Sequence, residues 1–362
     1  MKILHIVGAR PQFVKAAMVS RAWDDSAREF LLHTGQHYSA DMSRLFFDQL
    51  ALRKPDVNLE VGSGSHAEQT SAMLDGIDRY LEQTQADHVL IYGDTNSTLA
   101  GALAASKRGI PLSHVEAGLR SFNRDMPEEI NRVIADHISN YLFCPTEQAV
   151  QNLGAEGITS GVFQVGDVMA DALFGFSKLA EERSSILSEL GIESKEYALA
   201  TAHRSGNVDD RDRLSEIIRG LEQTHQRIIL PLHPRTKKML DQFNLAFSDN
   251  VRVIEPVGYL DMLKLEKHAE CILTDSGGIQ KEAYLLGIRC ITMREETEWV
   301  ETVDAGWNVL AGANAQKISR FFRAFQPAEK RPQVYGSGDA ADKIVQVIKT
   351  SRSGGEFGST NS

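Results

Sequence analysis

Glu116 closes the apolar run LSHV and Glu128 opens the run MPEEINRVIADHI, with Arg120 and Arg124 between them in HVEAGLRSFNRDMPEE (114–129). Carboxylates beside arginines can form a solvated ion-pair loop, or they can be the acid and base of a reaction that moves protons. A carboxylate at the end of a buried strand is poorly placed for routine solvation, which favours chemistry for Glu116. Glu128 and Glu129 follow Pro127, where a first-turn acid would also complement a helix dipole. The two arginines could orient the carboxylates or read a substrate.

Other reactive residue types recur at the ends of apolar runs. In YGDTNST (92–98) Asp94 follows a strand-like segment, so it is either a helix cap or a third catalytic carboxylate. GARPQFVK (8–15) sets Arg10 and Lys15 near the start of a helix, a good seat for an anion, but lacks the G-x-G-x-x-G spacing of a dinucleotide site. ATAHRSGN (200–207) and LPLHPR (230–235) each end in a His and an Arg: His203 with Arg204, and His233 with Arg235. Histidine is the side chain whose protonation changes most readily near neutrality. In LTDSGGIQKEA (273–283), Ser276, Gly277 and Gly278 would let a phosphate approach free helix N–H groups, and Glu282 could accept hydrogen bonds from a ribose.

These residues need elements to hold them. Short apolar runs alternate with amphipathic stretches: KILHIVG, then 11–24; EFLLHTG, then 65–82; HVLIYGD, then 97–108; PLSHVEA, then 127–140; YLFCPT. A second series runs EYALATAH, 210–225, RIILPLH, 236–244, VRVIEPV, 259–268, CILTDSGG, 278–286 and IRCITM. Such alternation predicts an α/β chain of two Rossmann-like, doubly wound parallel-sheet domains, 1–167 and 168–348, the second opening with a helical stretch 171–190. Ligands of such sheets bind outside the carboxyl ends of the strands, so the cleft between domains is the expected site.

A chain of 362 residues exceeds what one core usually supports. Its formal charge of −10, with no long basic runs, argues against a nucleic-acid or anionic membrane partner. Cys144, Cys271 and Cys290 are few, odd in number and far apart, which fits reduced thiols of a cytoplasmic protein, and no metal-ligand spacing is present. The opening MKILHIVGARPQ is too brief for a signal or a membrane span, and the Gly/Ser-rich tail 351–362 is set apart from the fold.

Taken in order, GARPQFVK, YGDTNSTLAG, HVEAGLRS, MPEEINR, TAHR and LTDSGGIQKEA resemble the non-hydrolysing UDP-N-acetylglucosamine 2-epimerases, over a span from about Met1 to Ile348. The resemblance implies a fold like that of glycosyltransferase type B enzymes, a UDP-sugar substrate, no cofactor, a homodimer, and a last helix, AADKIVQVI, that returns to the first domain. It assigns Asp94, Glu116, Glu128 and His203 to catalysis. It assigns Ser276, Gly277 and Gly278 to the phosphates, Glu282 to the ribose, and Arg10 and Lys15 to the diphosphate or sugar, with Arg204 and His233 beside them. The implied reaction is inversion at C2 by elimination of UDP to a 2-acetamidoglucal and re-addition.

Two departures stand out. Many members read His-Arg-x-Glu where this chain has His203, Arg204, Ser205 and Gly206, so the residues leave activation by a second substrate molecule open. A common Glu-Arg-Pro-Glu segment reads Glu298, Trp299, Val300 and Glu301, as in branches that act on UDP-2,3-diacetamido-2,3-dideoxyglucuronate. UDP-N-acetylglucosamine is the first expected substrate and the diacetamido uronate the second. A hydrolysing epimerase, a glycosyltransferase of the same architecture and a non-catalytic nucleotide-sugar sensor are the rivals.

Overall fold

The computed structural model describes residues 1–35 and 53–352, and of Arg10 and Arg352 only the backbone. The last ten residues of the set-aside tail lie outside the described residues. The chain divides into two compact units, one made of Met1–Phe174 together with the chain from Val334, the other of Gly175–Gln333.

In the first unit β1 (Lys2–Val7), β2 (Arg28–His33), β3 (Val57–Asn58), β4 (His88–Tyr92), β5 (Leu112–Val115), β6 (Tyr141–Cys144) and β7 (Val162–Gln164) form a parallel sheet in the order β3-β2-β1-β4-β5-β6-β7. Helices cover both faces, so the central strands are largely buried, and all five residues of HVLIY in β4 are buried. Leu4, Ile6, Val89 and Ile91 pack against Met73, Ile77 and Leu81 of the helix His66–Thr84. The helix Asn96–Lys107 sits close to the sheet because its inner face is small: a Cβ on Gly101 would approach Ile91 to 2.9 Å. The last helix, Ala340–Arg352, packs on the helix Arg10–Ala22 and receives a cap from Asp171, which accepts hydrogen bonds from the N–H groups of Ala340 (3.2 Å) and Ala341 (2.7 Å).

The second unit repeats the plan. Strands β8 (Ala198–Thr201), β9 (Ile228–Pro231), β10 (Val251–Ile254), β11 (Cys271–Thr274), β12 (Arg289–Thr292) and β13 (Asn308–Leu310) run parallel in the order β10-β9-β8-β11-β12-β13. Alternation along the strands divides its core: Ala200, Leu230, Leu273 and Ile291 pack with Ile217, Leu221 and Ile318, whereas Leu199, Ile229, Ile272 and Cys290 pack with Leu265 and Ala283. The three cysteines are buried and unlinked.

The α/β pattern of two Rossmann-like sheets is thus as expected. The stretch 171–190 is not one helix: it breaks into Val168–Arg183 and Ile186–Leu190 around Ser184 and Ser185. Strands β3, β7 and β13 have two or three residues and lie at or beside sheet edges, too short to leave an alternation in the sequence. In each sheet the strand order reverses direction at one point, between β1 and β4 and between β8 and β11. The candidate residues gather at those reversals, where an open α/β sheet leaves room for a ligand.

Candidate active site

In the first unit, Gln12 ties the two loops at the reversal. Its Oε1 accepts from the N–H groups of Gly8 (2.7 Å) and Ala9 (3.0 Å), while its Nε2 donates to the Tyr92 carbonyl (2.5 Å) and to Thr95 and Thr98 (3.0 Å each). The loop of Arg10 and the loop of Asp94 are therefore one structure. Lys15, one turn into the helix, is 4% exposed, and its ammonium group donates to the Glu116 carboxylate.

Glu116 stands directly after β5 with φ +75°, a left-handed backbone that costs a non-glycine residue about 1 kcal/mol or more. The strain is held by two hydrogen bonds, from the N–H groups of Glu116 and Ala117 to the Phe143 carbonyl at 3.1 Å each. Beneath it lies a buried chain of charges. His114 Nδ1 meets Asp136 Oδ1 at 2.7 Å and its Nε2 meets the Gly93 carbonyl at 2.7 Å; Arg120 donates to Asp136 (2.7 Å) and pairs in two-pronged fashion with Glu156 (2.6 and 2.8 Å). Burial alone would raise the Asp136 carboxyl, but His114 and Arg120 outweigh it and hold the group below the usual carboxylate range. Arg120 is thus a clamp under the Glu116 turn, whereas Arg124 is exposed on the loop surface.

The helix Pro127–Ile138 brings Glu128, Asn131 and Arg132 to one face, since residues three and four apart are neighbours on a helix. Asn131 donates to the Asp94 carbonyl (3.0 Å), and Arg132 pairs with the Asp94 carboxylate. Asp94 does not cap the next helix; Thr95 occupies that position. Glu128 is exposed, and its neighbour Glu129 is buried, accepting from Ser121 N (2.9 Å) and Phe122 N (2.9 Å) and so fixing the loop between the two acids. Lys15, Asp94, Glu116 and Glu128 therefore lie on two helices and two loops linked by these contacts.

In the second unit the loops after β8 and β11 meet through Asp275, which is fully buried. Its carboxylate accepts from the N–H groups of His203 (3.0 Å) and Arg204 (3.0 Å) and from Asn207 Nδ2 (3.2 Å), which in turn donates to the Met293 carbonyl at 2.8 Å. His203 lies beside His233, with ring centroids 5.2 Å apart. Burial first, then His233 and Arg204, pushes the His203 imidazole below its usual range against the pull of Asp275. His233 caps the helix Pro234–Phe243, accepting from Arg235 N at 3.1 Å.

Ser276 is the N-cap of the helix Gly277–Leu286, and its side chain makes no capping bond. The first-turn N–H groups are left available for an anion. Glu282, half-buried in the second turn, accepts from Tyr259 Oη at 3.2 Å. A Cβ on Gly277 would collide with Glu298 Oε1 and lie 3.3 Å from Trp299 Nε1, so the residues in place of the common Glu-Arg-Pro-Glu segment abut this turn. Lys281 stands over Trp299, 4.4 Å from the ring centroid.

A family model described as UDP-N-acetylglucosamine 2-epimerase matches residues 22–349. The chain belongs to the UDP-N-acetylglucosamine 2-epimerase family. It is 52% identical over 355 residues to a UDP-N-acetylglucosamine 2-epimerase homolog of Methanococcus maripaludis, with 96% of this chain and 99% of the relative covered. It is 45% identical over 358 residues to a UDP-2,3-diacetamido-2,3-dideoxy-D-glucuronate 2-epimerase of Pseudomonas aeruginosa, covering 96% and 99%. The fold is similar to a crystal structure of Methanocaldococcus jannaschii UDP-GlcNAc 2-epimerase in complex with UDP-GlcNAc and UDP, at 44% identity and a TM-score of 0.82, covering 97% and 100%.

For this member of the epimerase family the sequence motifs named Asp94, Glu116, Glu128 and Lys15 but missed other groups that hold them in place. Arg132, Asn131 and Asp136 lie within the helix that follows MPEE, with one spacing signal: 128, 132 and 136 recur every four residues. Asp275, between Thr274 and Ser276, was readable as a carboxylate at a strand end. Gln12 gave no signal, because its role depends on a contact with Tyr92 far along the chain.

Proposed function

We propose that the chain inverts C2 of a UDP-2-acetamido sugar, interconverting UDP-N-acetylglucosamine and UDP-N-acetylmannosamine. The observation that supports it best is Glu116, a strained strand-end carboxylate gripped by the buried ammonium of Lys15. The C2 proton is not α to a carbonyl, so its removal must accompany departure of UDP. As a carboxylate takes the proton, the C2–H electrons form the C1–C2 double bond and the C1–O bond breaks toward UDP, giving the 2-acetamidoglucal. Re-addition of UDP to C1 with protonation of the other face of C2 completes the inversion.

Glu116, Asp94 and Glu128 share the two proton transfers. Lys15 is committed to Glu116, so its role in this proposal is to hold that carboxylate, leaving the diphosphate to Arg10, Arg204 and the N–H groups at Ser276, Gly277 and Gly278. His203, with its lowered pKa, contributes a neutral imidazole at pH 7, with His233 beside it, and Glu282 takes the ribose.

The test is a panel of UDP-sugars in deuterated water, scored by NMR for deuterium at C2 and for the epimer. Deuterium at C2 with UDP retained supports the proposal. Stoichiometric free UDP with N-acetylmannosamine would mean a hydrolysing enzyme, UDP release with sugar transfer to an added acceptor and no deuterium at C2 a glycosyltransferase, and tight binding without exchange a sensor. A second reading, with UDP-2,3-diacetamido-2,3-dideoxyglucuronate as substrate, is favoured by Trp299, which stands under Lys281 where an arginine is common, and the same panel decides it. A cytoplasmic location and a homodimer are part of the proposal. Among the described residues no helix is long and apolar enough to cross a membrane.

A further inference from the structure

A carboxylate side chain stands against the proposed anion seat of the second unit. The Glu298 carboxylate lies against the Cα of Gly277, in the space a Cβ would take, at the uncapped start of the helix. It is held there by two cations: Arg294 donates to Oε2 at 2.8 Å, and Arg204 Nη2 stands 3.5 Å from Oε1. A carboxylate bracketed by two guanidinium groups at free helix N–H groups is the arrangement a phosphate would adopt. Two phosphate oxygens would need the same room and the same arginines.

We infer that Glu298 is a resident competitor for the diphosphate: it occupies the seat in the unliganded enzyme and must swing out before Arg204 and Arg294 can pair with the ligand. This rests on the assignment of the seat to UDP. Arg294 is thereby a diphosphate-binding residue that the motifs do not name. The side chain is free to leave, because it is 44% exposed and its pairs are near the surface, where ion pairs are weak and exchange readily. The competition lowers affinity for every ligand carrying the diphosphate and leaves the affinity for uridine untouched, since a ligand pays for the fraction of enzyme that is closed to it.

The experiment is calorimetric titration of UDP, UMP and uridine into wild-type enzyme, Glu298→Gln and Glu298→Ala, with circular dichroism to verify that each variant is folded. Both variants should bind UDP about threefold to tenfold more tightly, the size expected for removing weak surface pairs, with uridine unchanged. Unchanged or weaker binding of UDP by folded variants overturns the inference, because Glu298 would then be neutral or would be positioning the arginines. Wild-type enzyme that binds no UDP at all overturns instead the assignment of the seat. Glu298→Gln with Arg294→Ala should lose the gain; if it keeps the whole gain, Arg294 is not part of the seat.

Discussion

The two units handle charge in opposite ways. In the first, Glu116 and Asp136 are gripped in partly or fully buried pairs: Lys15 and Glu116 are 6% and 15% exposed in their side chains, and Arg120 and Asp136 are 1% and 0%. In the second, Arg204 and Glu298 are 49% and 44% exposed, and Arg213 with Glu295 and Arg235 with Asp209 lie in the same class. A proton transfer needs groups fixed to fractions of an ångström, and on the proposed role of Glu116 that fixing falls to Lys15. The proposed diphosphate site would instead use cations that can change partners. The same fold therefore carries a rigid half and an exchangeable half, and the difference can be attacked from either side.

The largest effect is expected at the rigid half. Glu116→Gln should lower kcat by about 10²-fold or more, the scale of a general acid or base, with little change in UDP affinity. Lys15→Met should come close to it by releasing Glu116. Steady-state epimerisation with isothermal titration of UDP measures both; wild-type kcat in Glu116→Gln would remove Glu116 from the chemistry.

Next is the clamp beneath Glu116. Asp136→Asn leaves His114 and Arg120 facing a neutral group in a buried site and should cost roughly 3 kcal/mol of stability in urea unfolding near neutral pH. The sign with pH follows from the depressed carboxyl: the unfolded chain takes up a proton first as pH falls, so the contribution of Asp136 is fully present above the ordinary carboxylate range and is lost below it. The gap between wild type and Asp136→Asn should therefore narrow as pH falls below about 4. A constant gap would mean that Asp136 is not ionised in the fold.

How much of this was legible depended on whether a contact is local. The parallel strands were readable because a strand covered on both faces must be apolar along its length, as HVLIY is. The helix Ala315–Ala324 carries the same kind of signal, with Ile318 and Phe322 buried at helical spacing. Of the site, Glu116 stood out because an acid closes an apolar run, and Ser276 to Gly278 because small residues separate a strand from a helix. What does not follow from sequence is which cation faces which carboxylate. Lys15 reads as an anion binder, and only the sheet order, which sets β1 beside β4 and β4 beside β5, brings it to Glu116. Asp94 reads equally as a cap until Arg132 is seen across from it.

The exchangeable half should respond with smaller effects and in KM. Asp275→Asn weakens the acceptor that holds the N–H groups of His203 and Arg204, and should raise KM for the UDP-sugar about tenfold, as expected for losing hydrogen bonds to a charged group, with a lesser fall in kcat. An equal fall in kcat with KM unchanged would place His203 in the chemical step instead of in binding.

The smallest effect is expected at Arg124, and the contrast with Arg120 four residues earlier makes it informative. Both arginines sit between the two acids and are indistinguishable by type. Arg120 is spent on Asp136 and Glu156, whereas Arg124 is exposed. Arg124→Ala should change stability by less than about 0.5 kcal/mol, as for surface substitutions in general, and leave epimerisation of UDP-N-acetylglucosamine unaltered. Run on the uronate substrate, the same variant asks a different question, because a sugar carboxylate needs a cation and Arg120 is already committed. Loss of turnover there alone would make Arg124 the residue that reads the uronate, and unchanged turnover on both substrates would leave it a solvated loop residue.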